Sequence, residues 1–121
     1  MRSNESEEMY LENILVLRKK QSEVRAIDVA RYAGYSKPSV SRAMGLLRQR
    51  GYIEIDVNGY ITLTDSGNEL ASKILERHHI LTQLLTRIGV DEKIAAEDAC
   101  KIEHVISDES FEKIKEHVVS H

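Results

Sequence analysis

The chain has 121 residues, 41% apolar and 31% charged, with one cysteine, one proline and no tryptophan. That is the length of one modest domain, long enough to bury a core without disulfide staples. No stretch approaches the roughly 18 uncharged apolar residues of a membrane helix, and the polar, acidic opening Met1–Glu8 is unlike a signal peptide, so a cytoplasmic protein with no membrane partner is expected. The formal net charge of −3 hides its distribution. From Arg18 to Arg50 there are nine basic residues (Arg18, Lys19, Lys20, Arg25, Arg31, Lys37, Arg42, Arg48, Arg50) against two acidic ones (Glu23, Asp28), a balance of +7 that leaves 8 basic against 18 acidic elsewhere. So divided a chain is expected to do two different jobs.

A first helix is predicted over 5–20, where Met9, Leu11, Ile14, Leu15 and Leu17 recur among charges in a pattern closer to helix than to alternation. Gln21–Val24 breaks that rhythm. A short second helix follows over Arg25–Ala33, with Ile27, Ala30 and Ala33 three apart and Gly34 as its stop. Ser36 can cap a third helix that carries Lys37 first and Pro38 in its first turn, where a missing N–H costs nothing. Val40, Met44 and Leu47 mark one face of it, and Gly51 ends it.

Ile53, Ile55 and Val57 then alternate with Glu54 and Asp56, Asn58-Gly59 gives a two-residue turn signal, and Tyr60–Leu63 runs back as a second strand. Two short helices joined by Gly34-Tyr35-Ser36 have the form of a helix-turn-helix. Followed at once by a tight β-hairpin, they predict a winged helix. Thr64 or Asp65 caps a long fourth helix that reaches about Ile88, Asp91 caps a fifth that runs to about Val105, and Ser107 caps a last helix bearing Phe111, Ile114 and Val118. The expected fold is mainly α: a winged helix-turn-helix over 1–64 with a small β-hairpin wing, then an α-helical half over 65–121.

A helix that enters a major groove needs short or polar side chains near its N-terminus and cations around it. Ser36, Lys37, Ser39, Ser41 and Arg42, with Pro38 shaping the first turn, supply this. Arg42 is the candidate for a base contact, since its fork reaches two acceptors of guanine, while Ser36, Lys37, Ser39 and Arg48 suit phosphates and Arg25 and Arg31 extend that footprint. Alone, such a run of Arg and Lys is a solvated surface. Joined to the helix-turn-helix pattern and the wing, it points to DNA. Glu54 and Asp56 repel phosphates, so the wing is expected to brace the fold more than to grip DNA.

Cys100, Glu103 and His104 fall at i, i+3 and i+4 of the fifth helix, so thiolate, carboxylate and imidazole share one face. Met9 and Glu12 share a face of the first helix, and His78 lies on the fourth. A lone cysteine is a buried small hydrophobe, a nucleophile or a ligand, and Met9 alone reads as core. The conjunction of donors points to metal. His79, His117 and His121 are expected on the surface.

From Glu8-Met-Tyr-Leu-Glu12 to Cys100-Lys-Ile-Glu-His-Val-Ile-Ser-Asp108, with Arg77-His78, Leu84-Leu85 and Ile88-Gly-Val-Asp91 between, the chain resembles the diphtheria toxin repressor and manganese transport regulator family. The resemblance implies a metal-dependent repressor that binds palindromic operator DNA as a homodimer and shuts down metal uptake genes. It also makes the helical half a dimerisation and metal-binding domain. The primary site of the family's iron-sensing branch falls on Met9, Cys100, Glu103 and His104; the manganese branch has Asp and Glu where this chain has Met9 and Cys100. Soft sulfur donors favour iron, cobalt, nickel or zinc over manganese, so Fe(II) is the favoured signal, Mn(II) the alternative, and Co(II), Ni(II) or Zn(II) substitutes in vitro.

The chain is a hybrid. The iron branch's ancillary site falls on His78, Thr82 and Ala96 and is broken, whereas Glu12 is kept, a manganese-branch ligand together with His78. A second metal on Glu12, His78 and Glu103 is therefore expected beside the first. The iron branch's C-terminal SH3-like domain is expected to be missing beyond His121. Two rival classes are a small metalloenzyme, disfavoured because no acid–base set stands beyond the ligands, and a winged-helix regulator gated by an organic ligand or partner protein. Neither an enzymatic role nor an organic small-molecule substrate is expected.

Overall fold

The computed structural model describes residues 5–120, with side chains from Ser6 onward. Met1–Asn4, half of the acidic opening, and His121, expected on the surface, lie outside the described residues. The order is α1 (Glu5–Lys20), α2 (Ala26–Ala33), α3 (Lys37–Gln49), β1 (Ile53–Ile55), β2 (Ile61–Leu63), α4 (Asp65–Arg87), α5 (Glu92–Ile102) and α6 (Asp108–Ser120). This is the mainly helical fold with a winged helix-turn-helix that the sequence predicts. Two compact units divide within α4, one ending at Ser72 and the other beginning at Lys73.

In the first unit, α2 opens where the Arg25 N–H donates to the Asp28 carboxylate at 2.8 Å. It closes on Gly34, left-handed at φ 74°, whose N–H and that of Tyr35 both reach the Ala30 carbonyl. Ser36 caps α3 by accepting the Ser39 N–H at 3.3 Å. α1 packs on α2, α3 and β2, and α3 on α2 and β1. Leu11, Ile14, Val24, Val29, Val40, Leu47, Ile53 and Ile61 are buried in this unit, each stabilising it by about 1.5–3 kcal/mol.

β1 and β2 pair antiparallel with Ile53 opposite Leu63 and Ile55 opposite Ile61. The outer edge of β2 is covered, since the Ile61 N–H donates to the Val24 carbonyl at 2.7 Å and the Ile61 carbonyl accepts from Arg18 at 3.1 Å. The wing departs from the expected two-residue turn. Asn58 does not adopt the positive φ such a turn requires; instead the Gly59 N–H closes back on the Asp56 carbonyl at 3.0 Å and Gly59 alone is left-handed, at φ 84°. The Asp56 carboxylate is the cause, accepting the N–H groups of Asn58 and Tyr60 at 2.9 Å each. Val57 is thereby thrown out of the strand into solvent.

Thr64 caps α4, accepting the Gly67 N–H at 3.1 Å while donating to the Gly51 carbonyl at 2.6 Å. Gly67 sits under the Tyr52 carbonyl, where a Cβ would fall 1.9 Å from the oxygen.

In the second unit, Asp91 caps α5 and Ser107 caps α6, accepting the N–H groups of Lys93 and Ser110. Ile74, Leu81, Ala95, Ala99, Phe111 and Val118 are its buried apolar residues, and Arg77, Glu103 and His104 are buried with them. α5 ends at Ile102, three residues before the predicted Val105. The reason is Arg77. Its guanidinium takes the carbonyls of Glu103 at 3.2 Å and Ile106 at 2.9 Å, pairs with Asp108 and lies 5.3 Å from the Phe111 ring, so the chain turns here rather than winding on.

Candidate metal centre and nucleic-acid interface

The metal centre begins from the last turn of α5. Although α5 ends at Ile102, Glu103 keeps helical angles and its N–H reaches the Ala99 carbonyl at 2.9 Å, so the i, i+3, i+4 register of Cys100, Glu103 and His104 survives. One donor atom from each lies within 4.8 Å of the others. Opposed donors on one ion, each about 2.0–2.3 Å from it, stand roughly 4–4.6 Å apart, so the cluster has the dimensions of a single-ion site.

Glu103 is 0% exposed and His104 nearly so, while Cys100 is partly exposed. Burying a carboxylate costs several kcal/mol unless opposite charge or hydrogen bonds compensate, on the order given for ions in protein interiors. Only one oxygen is compensated, by a hydrogen bond with His78, and the other makes none among the described residues. Glu103 Oε2 lies 2.9 Å from His78 Nδ1, and Oε1 lies 3.3 Å from His104 Nε2. Cys100, Glu103 and His104 offer sulfur, oxygen and nitrogen, a donor set for a divalent transition metal, while His78 stands at the other oxygen of Glu103.

Cys100, Glu103, His104 and His78 are thus brought together in the second unit. Met9 and Glu12 stand on α1 in the first, both largely buried, and the Met9 Sδ accepts a hydrogen bond from the Tyr35 hydroxyl at 2.7 Å. Arg77 was legible only as part of the Arg77-His78 pair. Its hold on the carbonyls of the α5–α6 turn, which fixes Glu103 and His104 from behind, had no signal in spacing or composition.

The nucleic-acid interface lies in the first unit. Lys37, Pro38, Ser41, Arg42 and Arg48 are exposed on α3, and Arg31 on α2. Ser36 and Ser39 hydrogen-bond each other at 2.8 Å. Arg25 lies 4.5 Å from the Tyr60 ring centre and donates to its hydroxyl at 3.1 Å, bracing α2 against the wing. Arg50, counted among the cations, is paired at 2.7 Å with the buried Glu7, which ties α1 to the end of α3.

A family model of the iron dependent repressor N-terminal DNA binding domain matches residues 3–60, and one of the metal binding and dimerisation domain matches 64–120. An HTH-type transcriptional regulator of Methanocaldococcus jannaschii is 35% identical over 114 residues, covering 93% of this chain and 91% of its own. The transcriptional regulator MntR of Escherichia coli O157:H7 is 34% identical over 106 residues, covering 88% of this chain and 68% of its own. Among solved structures, a manganese-dependent transcriptional repressor in complex with manganese superposes with a TM-score of 0.85 at 26% identity, over 93% of this chain and 52% of that one. The chain spans about half the length of that structure and of T. acidophilum IdeR, another that it matches. No helix among the described residues is long and apolar enough to cross a membrane. With a winged helix in its first unit, a sulfur, nitrogen and oxygen donor cluster in its second and the two family models matched over residues 3–60 and 64–120, the chain belongs to the iron-dependent repressor family of metal-dependent transcriptional regulators.

Proposed function

We propose that this chain is a cytoplasmic repressor, not an enzyme, that binds a palindromic operator as a homodimer when loaded with Fe(II) and so controls metal uptake genes. The observation that carries the reading is the convergence of Cys100, Glu103 and His104 around a fully buried carboxylate in a chain that also holds a helix-turn-helix. Cys100, Glu103 and His104 would hold the cation, and Met9 of the first unit would complete the set. Two sulfur donors favour Fe(II) over the harder Mn(II). The homodimer is supported by Ile88, Ile94, Val105 and Val119, large apolar side chains all more than half exposed in the second unit.

Bound there, the cation supplies positive charge and short directional bonds. Met9, Cys100, Glu103 and His104 would then restrain the two units together. In a homodimer, two α3 helices must stand about 34 Å apart to read both half-sites. Residues that ligate only in that arrangement raise operator affinity by as much as they prefer it, and operator DNA tightens metal binding by the same factor.

The second reading, a Mn(II) sensor, is favoured by Glu103, whose second oxygen faces His78. Glu12, His78 and Glu103 offer oxygen and nitrogen only and would hold a second, harder cation. A duplex selected from a random pool in the presence of Fe(II) tests the reading by gel shift. An affinity at least tenfold higher with Fe(II) or Co(II) than in chelator is expected. Equal binding removes the sensor reading, and a response confined to Mn(II) selects the second one.

A further inference from the structure

Tyr35 stands in the turn of the helix-turn-helix, one residue before Ser36, the cap of α3. Its hydroxyl reaches back to α1 and donates to the Met9 sulfur at 2.7 Å. Two further contacts hold it. Its ring packs on Tyr10 of α1 with centroids 5.2 Å apart, and its N–H bonds the Ala30 carbonyl at 3.1 Å.

Methionine has three rotatable side-chain bonds, so a free thioether samples many directions and loses much of that freedom when fixed. A hydrogen bond from an anchored tyrosine selects one direction. A thioether sulfur also has two lone pairs, one for Tyr35 and one for a metal.

We propose that Tyr35 is a positioning residue for the Met9 sulfur, and that this hydrogen bond couples ligation at Met9 to the start of the recognition helix. The inference rests on Met9 being a ligand. Through it, a movement of the sulfur on ligation passes across one hydrogen bond and one peptide unit to the α3 cap, entirely within the first unit. Partners of metal ligands typically change affinity by about 10–100-fold when removed.

The test is a Co(II) titration by calorimetry of the wild type, Tyr35→Phe, Met9→Ala and the double variant. Phe keeps a ring against Tyr10 and removes only the hydroxyl. Tyr35→Phe is expected to weaken Co(II) binding about tenfold and to have no further effect in the Met9→Ala background. An equal loss in both backgrounds assigns Tyr35 a structural role and overturns the proposal. No loss from Tyr35→Phe where Met9→Ala does weaken binding overturns it while sparing Met9 as a ligand. Unchanged binding by Met9→Ala removes the ligand reading and the proposal together. Hydrogen exchange at the amides of Tyr35, Ser36 and Ser39 gives the second readout: Co(II) should slow it in the wild type and not in Tyr35→Phe, and identical responses overturn the coupling.

Discussion

Nδ1 of His78 lies 2.9 Å from Oε2 of Glu103, a carboxylate with no exposed surface. The other oxygen of Glu103 faces His104, so one buried side chain stands between two imidazoles. Glu103→Gln keeps the shape and removes the charge. Metal at 100 times its Kd stabilises the protein that binds it by about 2.7 kcal/mol. In a thermal melt with Co(II) the wild type should show that gain and Glu103→Gln should not, while the melting temperature without metal stays the same or rises.

Arg77→Lys replaces a fork with a point charge that cannot reach two carbonyls and Asp108 together. Urea unfolding should show a loss of about 2–3 kcal/mol, the scale of charged hydrogen bonds. Co(II) affinity should fall with it, because the turn that carries His104 is no longer held. A stable variant with unchanged metal binding would show that the α5–α6 turn needs no staple.

Gly67→Ala tests the close approach of α4 to Tyr52. In an ordinary helix interior the change would stabilise by about 1 kcal/mol. Here the added Cβ meets a backbone oxygen that cannot swing away, and overpacking of this kind costs about 1–3 kcal/mol. A lowered urea midpoint is expected, and a raised one would contradict the packing.

Much of this was legible because it is written in local chemistry. Ser36, Pro38, Asp91 and Ser107 mark helix starts, Gly34 and Gly51 mark stops, and the spacing of Cys100, Glu103 and His104 puts three donors on one face. What escaped depends on contacts distant in sequence. Gly67 looks like a poor helix residue until Tyr52 is seen above it. The end of α5 is set by Arg77, 25 residues before its C-terminal Ile102. The turn of the wing follows Asp56, whose carboxylate outcompetes the Asn58-Gly59 signal, and Tyr35 gave no hint that it reaches Met9.

Arg42 and Lys37 are both exposed on α3 but carry different roles in the proposed DNA complex. Arg42→Ala should cost about 1–3 kcal/mol and relax base preference at one position per half-site. Lys37→Ala should weaken all sequences alike and reduce the salt slope of binding by about 1. Binding to a panel of single-base operator variants at two salt concentrations separates them, and a uniform loss for Arg42→Ala would make it a phosphate contact.

Metal choice is proposed to reside in sulfur. Met9→Asp with Cys100→Glu replaces both soft donors with carboxylates and should move the gel-shift response from Fe(II) or Co(II) toward Mn(II). No movement would place selectivity in other residues.

The most direct measurement is the near-ultraviolet absorption of the Co(II)-loaded protein, where a cobalt–thiolate bond gives an intense charge-transfer band. The wild type should show that band at one equivalent of Co(II), and Cys100→Ala should lose it while remaining folded. Identical spectra from the two proteins would return Cys100 to the core and contradict the metal centre proposed here.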